Sequence, residues 1–111
     1  MGVWRPLKTA KRDPLAFLDA QSVQDSDYVK IPRDYNGRAG ANSILKHRNG
    51  TQHRWYYLHE QQPNEAWIFK HFDSLQQDGI VRQCAHVAID LPRTMDLPPR
   101  ESIEFRVLVL H

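Results

Sequence analysis

The sequence predicts a mainly β fold, in which several short strands form part of a barrel or a sandwich. The apolar segments are short and rich in valine, isoleucine, tyrosine, phenylalanine and tryptophan, which are residues that strands favour. Seven prolines interrupt the chain, and no long stretch has the apolar spacing of a helix. Turn signals separate the apolar segments, as is typical of barrels and sandwiches.

Val3–Leu7 is the first predicted strand, and Pro6 near its end suggests a position at the edge of a sheet. Pro14–Asp19 is a short apolar run that is either a strand or one helical turn, because periodicity does not separate the two at this length. Residues 32–42 contain a proline, an Asn-Gly pair and a second glycine, so we expect a loop there.

A β-hairpin is predicted around Asn49-Gly50, because both residues tolerate positive φ angles. Its two strands are Ser43–His47 and Gln52–Leu58. The triplet Asn49-Gly50-Thr51 also matches a glycosylation sequon. We interpret it as a turn, since no secretory signal is evident.

Three further strands are predicted in the C-terminal half, at Ala66–Phe72, Ile80–Asp90 and Glu101–Leu110. A proline-rich loop over residues 91–99 separates the last two. Alternation in the second strand places four apolar residues on one face: Val81, Ala85, Val87 and Ile89. The opposite face carries Arg82, Cys84, His86 and Asp90.

The length of 111 residues allows one small domain, which we expect to span residues 1–111. Its composition, 41% hydrophobic and 25% charged, is ordinary for a soluble globular protein. No apolar run approaches the ~20 residues that span a bilayer. Residues 1–10 lack the apolar core of a secretory signal, and the single Cys84 cannot form an internal disulfide. We therefore expect a cytoplasmic protein that does not bind membranes.

Charge is distributed unevenly along the chain. Residues 1–55 carry ten Lys/Arg against five Asp/Glu, whereas residues 56–111 carry five against eight. The basic residues are scattered, and no motif for nucleic-acid binding accompanies them. A solvated basic surface is the preferred interpretation, so no nucleic-acid partner is expected.

The last predicted strand carries a candidate carboxylate clamp. Arg100 and Ser102 are two residues apart, so their side chains lie on the same side of a strand. A guanidinium fork and a hydroxyl together suit the binding of a carboxylate. A polar strand face paired with neighbouring charges is the preferred interpretation of the triplet taken alone.

His86 lies fourteen residues before Arg100, on the preceding predicted strand. A metal-binding histidine followed at short range by a carboxylate-binding arginine is the order found in 2-oxoglutarate oxygenases. In those enzymes two histidines and one carboxylate hold Fe(II) and leave positions open. For His86 taken alone, a structural histidine is the preferred interpretation.

Several segments spread over nearly the whole chain resemble one family: Val3–Leu7 (VWRPL), Asp13–Ala16 (DPLA) with Asp19 and Ser22, Arg54–Leu58 (RWYYL), Glu65, Phe69-Lys70, Phe72–Ser74 (FDS), His86, and Pro99–Glu104 (PRESIE) with Arg106. In order and spacing these segments resemble the fungal AsaB-like hydroxylase/desaturase family. That family is related to the cephem-methoxylase component CmcJ and to NvfI-type oxygenases.

The resemblance implies a double-stranded β-helix, or jelly roll, of which this chain is the C-terminal part, truncated at its N-terminus. It implies Fe(II) and 2-oxoglutarate as cofactors, and hydroxylation or desaturation of small molecules in fungal secondary metabolism. It suggests His86 as the distal iron ligand. Arg100, together with Ser102, is suggested as the cosubstrate clamp, and Arg106 is a second candidate for that role.

One departure from the family concerns the proximal His-x-Asp pair of iron ligands. In the family this pair lies upstream of the Trp-Arg-Pro segment, so we expect it to be missing from this chain. A truncated gene product, a gene-model fragment or an inactive relative is then expected. His71-Phe72-Asp73 has the right pattern, but Asp73 lies only thirteen residues before His86, too close for the usual arrangement.

Two alternatives to a working oxygenase stay open. The chain is a non-catalytic remnant with the same half-fold that binds a carboxylate or a partner protein, or it is a small β-barrel binding module. A severed jelly roll exposes unpaired strand edges, which predicts self-association.

Other candidate residues have simpler explanations. His47, His53 and His59 recur every six residues, but a predicted turn interrupts them, so we expect exposed or hairpin positions. A Cys84–His86 nucleophile pair is conceivable. A small buried core residue is the preferred interpretation of Cys84.

Overall fold

The computed structural model describes residues 1–47 and 52–110, which form eight β-strands and two short 3₁₀ turns. The turns are Ala20–Ser22 and Asp25–Asp27. The strands are β1 (Gly2–Pro6), β2 (Leu15–Leu18), β3 (Tyr28–Tyr35), β4 (Arg38–Leu45), β5 (Trp55–Tyr57), β6 (Trp67–Phe69), β7 (His86–Ala88) and β8 (Ser102–Arg106). Within these residues no helix has the length and apolarity needed to cross a membrane.

Two three-stranded antiparallel sheets form the body of the fold. One has the strand order β6-β1-β8 and the other β5-β2-β7, while β3 and β4 pair only with each other. The strands after the hairpin change sheet at each step, from β5 to β6, β7 and β8. This alternation between two sheets is that of a partial jelly roll, so the prediction of a mainly β fold of this type is confirmed.

The first strand is central and not at an edge, so the prediction from Pro6 was wrong. β1 lies between β6 and β8. The Leu7 amide donates to the Glu101 carbonyl at 2.8 Å, and bonding alternates along an antiparallel strand. The nitrogen of Pro6 therefore faces the β6 side, where pairing stops at Trp4. The missing N–H of proline thus removes no hydrogen bond from the sheet.

The apolar run that sequence periodicity left undecided is a strand. All four residues of β2 are buried, and β2 is the central strand of its sheet. In a strand that is covered on one face only, every second residue is usually polar. A central strand that is covered on both faces lacks this alternation, which explains the continuous apolar sequence of β2.

The predicted loop over residues 32–42 is wrong, because these residues belong to the longest hairpin of the described chain. Tyr28–Tyr35 pairs with Arg38–Leu45 over eight residue pairs. The turn is Asn36-Gly37, with φ angles of 55° and 82°. Positive φ at both central residues is what a two-residue hairpin turn requires.

The hairpin predicted around Asn49-Gly50 is also wrong in its pairing. The turn itself lies outside the described residues. The two flanking segments belong to different sheets, since β4 pairs with β3 and β5 pairs with β2.

The C-terminal strands are shorter than predicted. Regular pairing covers only Trp67–Phe69, His86–Ala88 and Ser102–Arg106 of the three predicted spans, and residues 91–99 form the expected loop. In β7 the apolar Val87 is 47% exposed, whereas Cys84 just before the strand packs against the core. The polar face of the predicted strand is therefore the inner face.

Four buried residues form the core between the two sheets: Trp4, Leu15, Phe17 and Phe69. Trp67 and Cys84 pack against them. The Phe17 ring of the second sheet lies 4.7 Å from the Trp67 ring and 5.0 Å from the Phe69 ring of the first. Phe17 thus holds the two sheets together.

Phe17→Ala is expected to lower the free energy of unfolding by about 3–5 kcal/mol, because it removes a buried ring and leaves a cavity between the sheets. Urea denaturation followed by circular dichroism measures this loss. Phe72→Ala is the matched control, since Phe72 is 62% exposed and its ring loses mainly a contact with Arg82. Equal losses in the two variants would show that Phe17 does not join the sheets.

Candidate active site: a cleft beside His86

A cleft of about 950 Å³ opens beside β7 and is lined by residues of β4, β5, β7 and β8. Its lining residues with groups that bind metals or anions are His47, His53, His71, Cys84 and His86, together with Lys46 and Arg106. His86 and Arg106 were singled out from the sequence as the iron ligand and the second clamp candidate. The fold brings these two predicted residues into one cavity.

His86 is held by the aromatic core. It lies opposite Phe17 in the pairing of β2 with β7, and its ring is 5.8 Å from that of Phe17 and 4.4 Å from that of Phe69. Its Nδ1 lies 2.9 Å from the Cys84 carbonyl oxygen. Because a carbonyl only accepts, Nδ1 carries the hydrogen, and Nε2 is left with a free lone pair. A metal-binding histidine has this arrangement.

His71 is a second imidazole in the same cleft. It follows β6, and its ring lies 5.4 Å from the His86 ring in an edge-to-face arrangement. Its Nε2 is 3.1 Å from Oε1 of Glu104 on β8. Burial lowers the pKa of His71, the positive charge of Arg106 lowers it further, and Glu104 partly offsets both. The imidazole is therefore neutral at pH 7.

Gly2 provides the space into which His71 fits. A Cβ atom at this position would lie 2.6 Å from Cζ of Phe69 and 2.7 Å from Nε2 of His71. Any larger residue would displace both rings, since real Cβ atoms do not approach so closely. Glycine in the central strand β1 is therefore a requirement of the cleft.

Arg106 lies at the mouth of the cleft, opposite Gly2 in the pairing of β1 with β8. Its side chain is 77% exposed, and its Nε lies 3.4 Å from the same Glu104 oxygen that binds His71. Glu104 thus joins two cleft residues. Sequence reasoning gave Glu104 no role, although its alternation with Ser102 and Arg106 places all three on one face of the strand.

Arg100 lies at the other end of the same face. Its guanidinium packs over the Trp4 ring at 5.2 Å, and its Nη1 donates to the Asp13 carbonyl oxygen. Its Nε is buried without a hydrogen-bond partner, and burial lowers the pKa of the guanidinium. It lines a second cavity of about 410 Å³, together with Arg12, Asp13, Ala88, Asp90, Met95 and Pro99.

The structure does not bring Arg100 and His86 into one cavity. Arg100 and Arg106 are six residues apart on an extended segment, which corresponds to roughly 20 Å. Arg100 contacts Trp4, whereas His86 contacts Phe17 and Phe69 of the same aromatic cluster. Ser102 lies opposite Pro6 and is half-buried.

The other candidate residues, Asp73, His53 and Cys84, make ion pairs or core contacts. Asp73 is 2.6 Å from Lys70 Nζ, so of the triplet His71-Phe72-Asp73 it is His71 that lies beside His86. His53 was expected to be exposed, but its side chain is only 12% exposed and lies 3.2 Å from the buried Asp27. Burial raises the pKa of the Cys84 thiol, in keeping with its contact with the core.

The fit of this site to iron and 2-oxoglutarate is partial. His86 has the tautomer that a metal ligand needs, and the unpartnered buried Nε of Arg100 suits an anionic oxygen. Residues 1–47 and 52–110, however, bring no three histidine, cysteine or acidic side chains together into a ligand set. These residues thus hold parts of such a site and do not complete it.

Comparison with known proteins gives the site a family context. A family model described as an oxidoreductase/YMDC permease-like domain matches residues 1–110. An α-ketoglutarate-dependent dioxygenase, phiK, from a fungal species is 36% identical over 99% of this chain and 40% of its own length. The hydroxylase/desaturase asaB of Aspergillus flavus is 35% identical over 98% of this chain and 53% of its own length.

A solved structure agrees with the sequence relatives. The iron and α-ketoglutarate-dependent endoperoxidase NvfI superposes on 93% of this chain and 38% of its own, with a TM-score of 0.73 and 30% identity. The chain therefore spans about half or less of the length of the proteins it matches. It belongs to the oxidoreductase/YMDC permease-like domain family and is a homologue of the fungal AsaB-like hydroxylases and desaturases.

Proposed function

We propose that residues 1–111 are a single domain, the C-terminal part of an oxygenase that uses iron and 2-oxoglutarate to hydroxylate or desaturate a small molecule. The observation that carries this proposal is His86. Its ring packs against the rings of Phe17 and Phe69, and its Nδ1 donates to the Cys84 carbonyl. It lines a cleft large enough for a small molecule.

In this proposal His86 binds Fe(II) through Nε2. The Cys84 carbonyl fixes the tautomer, and the rings of Phe17 and Phe69 fix the orientation of the imidazole. Bound iron and 2-oxoglutarate supply the oxidising chemistry, and the protein supplies binding and orientation. The full set of iron ligands requires groups beyond those that the described residues bring together.

Two arginines, Arg100 and Arg106, are candidates for binding the carboxylate of 2-oxoglutarate. Arg106 has the better position, because it shares the cleft with His86, but it is exposed and already lies beside Glu104. Arg100 has the greater need of an anionic partner, because it is half-buried and its Nε has no hydrogen-bond acceptor. A half-buried guanidinium with one N–H group left without an acceptor gains more from a bound carboxylate than an exposed one does. We assign the clamp to Arg100, with Ser102 as its neighbour. Because Arg100 and His86 line different cavities in the described residues, this assignment requires the two cavities to join in the whole protein.

A non-catalytic role is the second candidate. The incomplete set of metal-binding side chains in the described part of the chain favours it. The domain would then bind a carboxylate ligand through Arg100 without oxidising it. Iron binding at His86 distinguishes the two candidate functions, because only the oxygenase requires it.

We place the protein in the cytoplasm, without a nucleic-acid or membrane partner. The single cysteine suits a reducing compartment. The basic residues of the N-terminal half are spread along the sequence instead of forming one cluster.

Self-association is proposed through the outer face of the sheet β6-β1-β8. Three of its apolar side chains are exposed: Ile68 (68%), Phe105 (58%) and Ile103 (36%). β8 pairs only with β1 in the described residues, which leaves its other edge open. An exposed apolar face beside an open strand edge favours pairing with a second chain.

The first prediction tests iron binding. Under anaerobic conditions, Fe(II) and 2-oxoglutarate added to the wild-type chain are expected to give a weak visible charge-transfer absorption band, because the described residues supply only part of the ligand set. His86→Ala is expected to abolish the band, because it removes the iron ligand. His59→Ala is the control, since His59 is exposed and is not among the cleft residues. A band that survives in His86→Ala would contradict the assignment, and no band in the wild type would favour the non-catalytic role.

The second prediction tests the clamp with glutarate, which has the two carboxylates of 2-oxoglutarate but lacks the keto group that chelates iron. Arg100→Gln is expected to weaken glutarate binding by about 10–100-fold, as expected for the loss of a hydrogen bond between charged groups. Arg106→Gln is the matched control and is expected to change the affinity by less than about threefold, because that arginine is exposed. Isothermal titration calorimetry measures both. The reverse result would assign the clamp to Arg106.

The third prediction concerns the oligomeric state. Light scattering after size-exclusion chromatography is expected to give a mass above that of one chain, and Phe105→Lys is expected to shift it towards the monomer. Met95→Lys introduces the same charge at an equally exposed loop position and is expected to leave the mass unchanged. A monomeric wild type at every concentration would contradict the proposed surface.

A further inference from the structure

Two of the four histidines that line the cleft, His71 and His86, share a pattern of hydrogen bonding. Each has one ring nitrogen bound to an oxygen that only accepts: the Cys84 carbonyl for His86 and the Glu104 carboxylate for His71. The hydrogen therefore lies on Nδ1 of His86 and on Nε2 of His71. Nε2 of His86 and Nδ1 of His71 are left with lone pairs. No group in residues 1–47 or 52–110 hydrogen-bonds to either of them.

The spacing of the rings is compatible with one shared metal ion. A metal ion binds imidazole nitrogen at about 2.0–2.1 Å along the lone pair, which puts it about 3 Å from the ring centre, so two rings on one ion have centres at most roughly 6 Å apart. The His71 and His86 ring centres are 5.4 Å apart. Their planes make an angle of 66°, so the rings do not stack face to face.

The surroundings of His71 are those of a metal ligand. A carboxylate that accepts from the second nitrogen of a ligating histidine orients the ring and raises its basicity. Glu104 occupies this position, and Gly2 leaves the space that the His71 ring needs. Arg106 adds a positive charge near the site, but its contact with Glu104 and its exposure to solvent weaken its effect on a cation.

We propose that His71 and His86 form a two-imidazole site for a divalent transition metal, bound through Nδ1 of His71 and Nε2 of His86. Glu104 is the positioning residue of this site. The proposal rests on the proposed function for the role of His86 and adds His71 as a second protein ligand. Imidazole binds iron, zinc, copper and nickel alike, so the remaining coordination positions, open to the cleft, decide what the metal does there.

The test uses Zn(II) alone, which keeps the measurement independent of turnover. Isothermal titration calorimetry on the full chain is expected to give one site, with the affinity reduced at least tenfold in His71→Gln and in His86→Gln. Glu104→Ala is expected to reduce it by about 10–100-fold, as for other losses of such a carboxylate. His59→Gln is the matched control, because this exposed histidine lies outside the cleft lining.

The variants separate this inference from the proposed function. If only His86→Gln weakens binding, the role of His86 stands and the two-imidazole site is overturned. If neither variant weakens binding, both are overturned.

A measurement on the wild type avoids dependence on folding of the variants. Long-range ¹H–¹⁵N correlation spectra are expected to show Zn(II) shifting the ¹⁵N resonance of Nδ1 in His71 and of Nε2 in His86. A shift confined to His86, or one at Nε2 of His71, would overturn the proposed ligands.

Discussion

The contact of Phe17 with both sheets is the constraint on which the rest of the structure depends. Its ring meets Trp67 and Phe69 of the opposite sheet and also stacks at 5.8 Å on His86, its partner across the strand pair. The residue that closes the core is therefore the residue that orients the imidazole of the cleft. Stability and site geometry cannot be changed independently at this position, because one side chain serves both.

The arrangement of β8 explains how the polar residues of the site are distributed. The inner face of the strand carries Ser102, Glu104 and Arg106. In the pairing with β1 they lie opposite Pro6, Trp4 and Gly2, respectively. The outer face carries Ile103 and Phe105. A strand with a polar inner face and an apolar outer face reverses the usual pattern of a half-buried strand. It does so because the inner face borders a cleft and the outer face borders no other element of the described chain.

Sequence patterns predicted the β class, the short strands and the inner-face alternation of Arg100, Ser102 and Arg106, because these depend on local residue preferences and a period of two. Patterns did not predict the long hairpin, since both faces of β3 and β4 are largely exposed and show no apolar alternation. They placed β1 at an edge from Pro6, because a sequence does not show where a neighbouring strand ends. His71 and Glu104 were missed as a pair, because they are 33 positions apart in the chain and only the sheet β6-β1-β8 brings them together.

The exposure of the β3–β4 hairpin has a consequence for how the cleft can vary. Its backbone bonds are internal, its turn is a local Asn36-Gly37 feature, and residues 41–45 of β4 form one wall of the cleft. The core cluster around Phe17 contains no hairpin residue, and the hairpin meets the segment before His86 at Ser43, whose Oγ lies 3.4 Å from Gln83 Oε1. Insertion or removal of residues in pairs would preserve the facing of every remaining side chain. A change in the length of the hairpin would therefore alter one wall of the cleft without removing any residue of the core cluster around Phe17.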